Sequence, residues 1–229
     1  MAKVLHKKEK LSLQHRILLI LHKNSIIFLA ALGIIAATLI IIAVVSNVQA
    51  KKLEADTQKI EEIQDQYSTY LSTTDTAKKA ELKKKITGQL TSIIEKGVKT
   101  YPLERALFIQ GNLYYKDKEW VKSAESFVKL SNLFPKSYLS AVALIDSAAA
   151  YEENNSIDKA MESYQRVVDR YSDMSPDIPS ALFSIGRLYE AKKDTKSALK
   201  TYNSLIDRFP ASNWTNLARS RIIYLETKK

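Results

Sequence analysis

The chain opens with one unbroken apolar block and continues as a long stretch in which apolar residues recur every three or four positions. Ile26 to Val45 reads IIFLAALGIIAATLIIIAVV, interrupted only by Gly33 and Thr38, with no charge between Lys23 and Lys51. Twenty residues at 1.5 Å rise make about 30 Å of helix, the thickness of a hydrocarbon core. Its Ile, Leu, Phe and Val side chains supply roughly −4 to −8 kcal/mol of insertion free energy. A transmembrane helix is expected over 26–48. Residues 49–75 read as a polar linker helix continuous with it, with Leu53, Ile60, Ile63, Tyr67 and Leu71 on one stripe. That stripe is too short for a sustained heptad, so packing on the rest of the domain is favoured over pairing with a second chain.

From residue 76 to 229 the helical pattern repeats itself. SALKTYNSLIDRFPAS at 197–212 has the layout of KSAESFVKLSNLFPKS at 122–137 and KAMESYQRVVDRYSDM at 159–174. Aligned copies give the columns Gly111, Ala148, Gly186 and Tyr114, Tyr151, Tyr189, then Ser123, Ala160, Ala198 and Phe127, Tyr164, Tyr202. Leu130, Val167, Leu205, then Phe134, Tyr171, Phe209, and Pro135, Ser172, Pro210 continue them, stepping by 37 and then 38 residues. A period of this length signals a solenoid. Each unit predicts two helices joined by a polar turn (KDKE, ENNS or KKDT), with the small columns allowing close approach and the aromatics filling the gaps. Pro135 and Pro210 are expected to end the second helix. The repeats fall at about 103–137, 138–174 and 178–212. Residues 213–226 place Ala218 in the column of Ala106, Ala143 and Ala181, as a lone first helix capping the end. Residues 76–99, followed by Tyr101-Pro102, read as a second helix without a partner.

Small-x-x-Tyr followed by small-x-x-x-aromatic and a closing Pro resembles the tetratricopeptide repeat over about residues 103 to 226. The unit is longer than usual, Ser123 replaces the small Ala and Ser172 replaces the Pro. The DRYSD and DRFPAS endings are similar to long repeats of bacterial envelope proteins, including BamD and YbgF-type proteins. The expected fold is all-α: a transmembrane helix, then a tetratricopeptide α-solenoid. The layout of basic tail, single span, polar helix and repeats resembles the YfgM-type ancillary subunit of the SecYEG translocon. That resemblance implies translocon subunits and periplasmic chaperones as partners.

Composition narrows the chemistry. There is no Cys, and the three His are His6, His15 and His22, so residues 51–229 carry neither. Most nucleophilic and transition-metal chemistry is thereby excluded from the folded part, and neither a cofactor, a metal site nor a catalytic residue is expected. The formal net charge of +10 is uneven. Residues 1–25 hold Lys3, Lys7, Lys8, Lys10, Arg16 and Lys23 against Glu9 alone, a basic cytoplasmic tail by the positive-inside bias. The repeats are then expected on the extracytoplasmic side, and the resemblance to bacterial envelope proteins implies that the membrane is a bacterial inner membrane. Val48-Gln49-Ala50 fits a signal-peptide cleavage site, but the apolar core is too long for a typical h-region, which favours an uncleaved anchor. LSLQHRILLILHK at 11–23 suits an interfacial amphipathic helix or an ordinary positive tail.

The remaining clusters have plain readings. KKAELKKK at 78–85 lacks the aromatic interleaving that base stacking needs, so a solvated helix face is expected and no nucleic-acid partner. Glu152-Glu153 reads as a solvated helix end. Most tyrosines occupy buried columns, leaving Tyr115, Trp120, Tyr138 and Trp214 for exposed contact. The surface lined by first helices is where such solenoids hold a peptide or protein segment. Its expected lining is Gln110, Asn112, Asp146, Ser147, Arg187 and Tyr224. The functional expectation is therefore a non-enzymatic, membrane-tethered interaction scaffold assisting export or folding of secreted proteins, with outer-membrane or cell-wall assembly as the alternative and an envelope enzyme a remote third.

Overall fold

The computed structural model describes residues 22–171 and 175–227, all of whose regular elements are α-helices. The basic tail before residue 22, with His6, His15 and most of the 11–23 stretch, and Ser172 of the proline column lie outside the described residues. The helices are α1 (Ser25–Ser72), α2 (Thr76–Lys96), α3 (Tyr101–Lys116), α4 (Trp120–Leu133), α5 (Tyr138–Glu153), α6 (Ile157–Arg170), α7 (Ile178–Ala191), α8 (Thr195–Arg208) and α9 (Asn213–Thr227). They divide into two units, Met1–Glu54 and Ala55–Lys229.

In the first unit the apolar part of α1 is exposed, Ile26, Ile34 and Ile40 at 82%, 68% and 64%. Its hydroxyls turn back on the helix, Thr38 donating to the Ile34 carbonyl at 2.8 Å and Ser46 to that of Ala43 at 3.0 Å. Self-satisfied hydroxyls suit an apolar solvent. Among the described residues this is the helix long and apolar enough to cross a membrane.

In the second unit, residues 55–72 of α1 pair with α2. Ile60, Ile63 and Tyr70 share a core with Ile86, Leu90, Ile93 and with Ala106, Ile109 and Leu113 of α3. The polar stripe therefore packs against the repeats through Ile60 and Ile63, with two departures from the expectation: Leu53 and Leu71 are 42% and 48% exposed, and Tyr70 is buried in place of Leu71. Residues 76–99 thus have a partner. Asp75 caps α2 by accepting from the Ala77 and Lys78 amides at 2.9 and 3.1 Å. Gly97, at φ 65°, ends it in the left-handed conformation that glycine adopts without a Cβ penalty. Tyr101-Pro102 does not close α2 but opens α3, where Pro at the second helical position lacks an amide that would have gone unpaired anyway.

The three helix pairs α3/α4, α5/α6 and α7/α8 are the repeats, each an A helix followed by a B helix, and α9 is a further A helix packed on α7 and α8. A Cβ built on Gly111 would lie 2.7 Å from the Phe127 ring, and one on Gly186 would fall closer still to that of Tyr202. The small column is therefore the seat of the B-helix aromatic. Ser123 fits its column because it is fully buried with its Oγ donating to the Gly111 carbonyl at 2.8 Å. Each A–B turn contains one residue in the left-handed region, Lys118, Asn155 and Lys193 at φ 60°, 56° and 61°. Paired amide returns close each turn, such as Lys193 to Glu190 at 2.8 Å and Asp194 to Tyr189 at 2.9 Å.

Phe134 and Phe209 cap α4 and α8 just before Pro135 and Pro210, as the proline column required. Their carbonyls accept from the next A helix, Ser140 Oγ and Thr215 Oγ1, both at 2.6 Å. These fully buried hydroxyls fasten one repeat to the following one.

Candidate functional site

The A-helix face follows from the register. Three further columns run along the A helices, with Ile109 buried in the core shared with α1 and α2 and Arg187 exposed. They hold Phe108, Ile145 and Phe183, then Asn112, Ala149 and Arg187, then Ile109, Asp146 and Ser184. Phe108, Ile145 and Phe183 are half-buried, each part core and part surface. Phe108 meets Phe127 edge-on at 5.7 Å, and Phe183 lies 5.6 Å from Tyr202 and 5.2 Å from Trp214. A stripe of such rings, anchored from behind, offers apolar area at little conformational cost.

The expected lining residues differ in what they do. Asn112 is half-buried and donates to the Phe108 carbonyl at 2.9 Å. Gln110 receives the Ser126 hydroxyl at 3.2 Å, which ties it to α4 rather than to the open face. Ser147 is fully buried, donating to the Leu144 carbonyl at 2.8 Å, because its helix position points between packed helices. Tyr224 is 44% exposed beside the Arg221 guanidinium, 4.7 Å away. Asp146 is half-buried; burial first, and the charge of Asp177 second, push its carboxyl up to about 6. Burial likewise pushes the Tyr115 hydroxyl up, helped by the negative charge of Glu153, Asp146 and Glu152. Tyr115 stacks edge-on with Trp120 at 4.9 Å, Trp214 is half-buried on Phe183, and Tyr138 is 77% exposed.

Arg187 belongs to a device that sequence reasoning missed. Its guanidinium reaches Glu152 of the preceding repeat at 2.5 and 2.7 Å, and Glu152 also accepts from Tyr164 at 3.0 Å. One repeat later Glu190 accepts from Tyr202 at 2.6 Å, from Arg221 Nε at 3.0 Å, and from a terminal nitrogen of Arg221. Each cluster joins a B-helix tyrosine, the end of its own A helix and an arginine of the next A helix. Burial alone would raise the Glu190 carboxyl, but the hydrogen bonds from Arg221 and Tyr202 hold it below the usual range. Burial foremost, together with Glu152 and Glu190, pushes the Tyr164 and Tyr202 hydroxyls well up. In the first repeat the same positions carry Tyr115 and Phe127, so carboxylate and hydroxyl are missing together. That paired replacement, Glu with Tyr twelve residues on or neither, was the available signal.

A second concavity lies on the other side of the repeats, between α6 and α8 over α7. It encloses about 390 Å³, with Val168, Leu182 and Ile185 as apolar lining, Lys200 and Arg208 as cations, and no carboxylate. None of the expected lining residues borders it. Among the described residues no group of three His, Cys, Asp or Glu is placed to hold a metal ion. The arrangement offers an aromatic and polar docking surface, with charges already engaged in holding repeats together.

Comparison with known proteins agrees with this geometry. The family model for soluble NSF attachment protein, SNAP, matches residues 71–224. Over 112 residues, 49% of this chain, the sequence is 33% identical to a TPR repeat-containing protein of Treponema pallidum (strain Nichols). The chain spans 46% of that relative's length, a little under half. Among solved structures it resembles the TPR-like repeats of a putative kinesin light chain from Podosopora anserina, with a TM-score of 0.55 at 11% identity over 73% of this chain and 87% of that one. A point variant of those repeats gives the same score and identity over 86% of its length. At that identity the likeness concerns the fold alone.

Proposed function

The chain belongs to the soluble NSF attachment protein (SNAP) family, and on that premise we propose that it is a membrane-tethered scaffold that holds protein segments on the A-helix face of its tetratricopeptide solenoid. The observation that carries this reading is the half-buried Phe108, Ile145 and Phe183 stripe, each part core and part surface, flanked by Asn112, Asp146 and Arg187. A family named for attachment to a partner protein fits a holding role, and the fold typically serves interaction rather than catalysis. The apolar part of α1 is the tether, residues 1–25 lie in the cytoplasm and the repeats lie outside it, in keeping with the basic excess before the span.

On this reading the partners are newly exported polypeptides, with translocon subunits and periplasmic chaperones around them. Short chemical crosslinking in native membranes, gentle detergent extraction and identification of what co-purifies tests it. Translocon subunits and chaperones at near-stoichiometric yield are expected, and a Phe108→Ala/Phe183→Ala variant should lose the chaperones. Recovery of outer-membrane or cell-wall assembly proteins without any translocon subunit would replace the export role by envelope assembly.

A further inference from the structure

The most C-terminal described A helix, α9, keeps Ala218 but differs from the others at three positions that face the B helix of the same repeat. Leu107, Leu144 and Leu182 are followed in register by Arg219; Gly111, Ala148 and Gly186 by Ile223; Tyr114, Tyr151 and Tyr189 by Glu226. Because a single Cβ at Gly186 would already clash with the Tyr202 ring, a B helix docked on α9 in the same way would drive its aromatic into the Ile223 side chain. The face is nevertheless not polar: Ile223 is 63%, Leu217 49% and Tyr224 44% exposed. The Ser220 and Thr227 hydroxyls of the face are already satisfied, Ser220 donating to the Asn216 carbonyl at 3.1 Å and Thr227 to that of Ile223 at 3.0 Å. Burying them costs no unpaired hydrogen bond.

We propose that this face of α9 is the contact between two copies of the chain, the two α9 helices lying antiparallel about a twofold axis between residues 221 and 222. In that register the large Ile223 of one copy lies over the small Ser220 of the other, and the reverse. Asn216 faces Thr227 of the second copy. Arg219 and Glu226, two turns apart on one flank, meet the opposite charge across the axis, so the pair of helices carries two symmetric ion pairs. A parallel pair, with its twofold axis along the helices, would instead carry the two Arg219/Glu226 flanks to opposite sides of the seam, where they do not meet. Three exposed apolar side chains fall short of the roughly 1,200 Å² of a stable interface. The contact is therefore weak in dilute solution and gains from confinement of both copies to one surface.

The chain has no Cys, so a single introduced thiol reports the contact without background. Full-length Ser220→Cys in native membranes, treated with a short bis-maleimide, should give a species of twice the chain mass, whereas Asn203→Cys, on the exposed side of α8, should not. Arg219→Glu or Glu226→Arg added to Ser220→Cys should lower the yield roughly fivefold, and the two reversals together should restore it. Both residues are exposed, so reversal leaves the core intact. Ser220→Cys crosslinking no better than Asn203→Cys, or to a chain of different mass, would overturn the proposal. So would single reversals without effect, or a double reversal that fails to rescue.

Discussion

Replacing Glu190 by Ala removes one carboxylate and strips two neighbours of their partner. Tyr202 is fully buried, so its hydroxyl has no water to turn to and loses about 1–3 kcal/mol. The Arg221 side chain is 41% exposed and rehydrates, so its ion pair is worth only about 1 kcal/mol. The Tyr202 term weakens α8 against α7 and the Arg221 term weakens α9 against α7, about 2–4 kcal/mol in all, which raises the joint opening equilibrium of α8 and α9 roughly 25- to 700-fold. Since repeats open locally, native-state hydrogen exchange of the α8 and α9 amides is the assay. Tyr202→Phe should cost less alone and almost nothing on the Glu190→Ala background. The folded-state value of the Glu190 carboxyl is depressed, so its contribution is complete above the unfolded carboxylate value of about 4.3 and is lost as pH falls through the lower folded value. The difference between wild type and Glu190→Ala should therefore be flat near neutrality and shrink in acid. A cost under about 0.5 kcal/mol, or a Tyr202→Phe effect that adds in full, would refute the cluster as a unit.

Gly88 has open space around it and Gly186 does not, so Gly88→Ala should gain about 1 kcal/mol by urea denaturation while Gly186→Ala loses that gain or more to overpacking. Lys193→Gly relieves a left-handed lysine and should stabilise the α7–α8 turn by about 1 kcal/mol, visible as slower exchange at Asp194. Asp75→Ala removes the one oxygen that accepts from two amides at the start of α2 and should cost about 1 kcal/mol in thermal unfolding, with Asp75→Asn largely neutral.

The solenoid was legible because its columns are a packing rule written in sequence. A glycine opposite an aromatic leaves the same trace at Gly111 and Gly186, and a spacing of 37 to 38 residues is the length of one stacked helix pair. The apolar length of residues 26–45 and the A-helix pattern of residues 213–226 were readable for the same reason, each depending on local periodicity alone. The open face was only partly legible. Ser147 and Gln110 lie close in sequence to Asp146 and Asn112, but a rotation of about 100° per residue turned them into packing contacts.

What the sequence by itself determined is the helices, their pairing and which side chains fill each pair, because those depend on spacing within about forty residues. What only the tertiary structure decided is how neighbouring repeats are tied. The Tyr–Glu–Arg clusters, the hydroxyls returned to the Phe134 and Phe209 carbonyls, and the seat of residues 55–72 against α2 and α3 all join groups whose distance is set by the angle between helices. Periodicity fixes which face a residue occupies, but a hydrogen bond requires a position good to a few tenths of an ångström, and only the packed helices supply that.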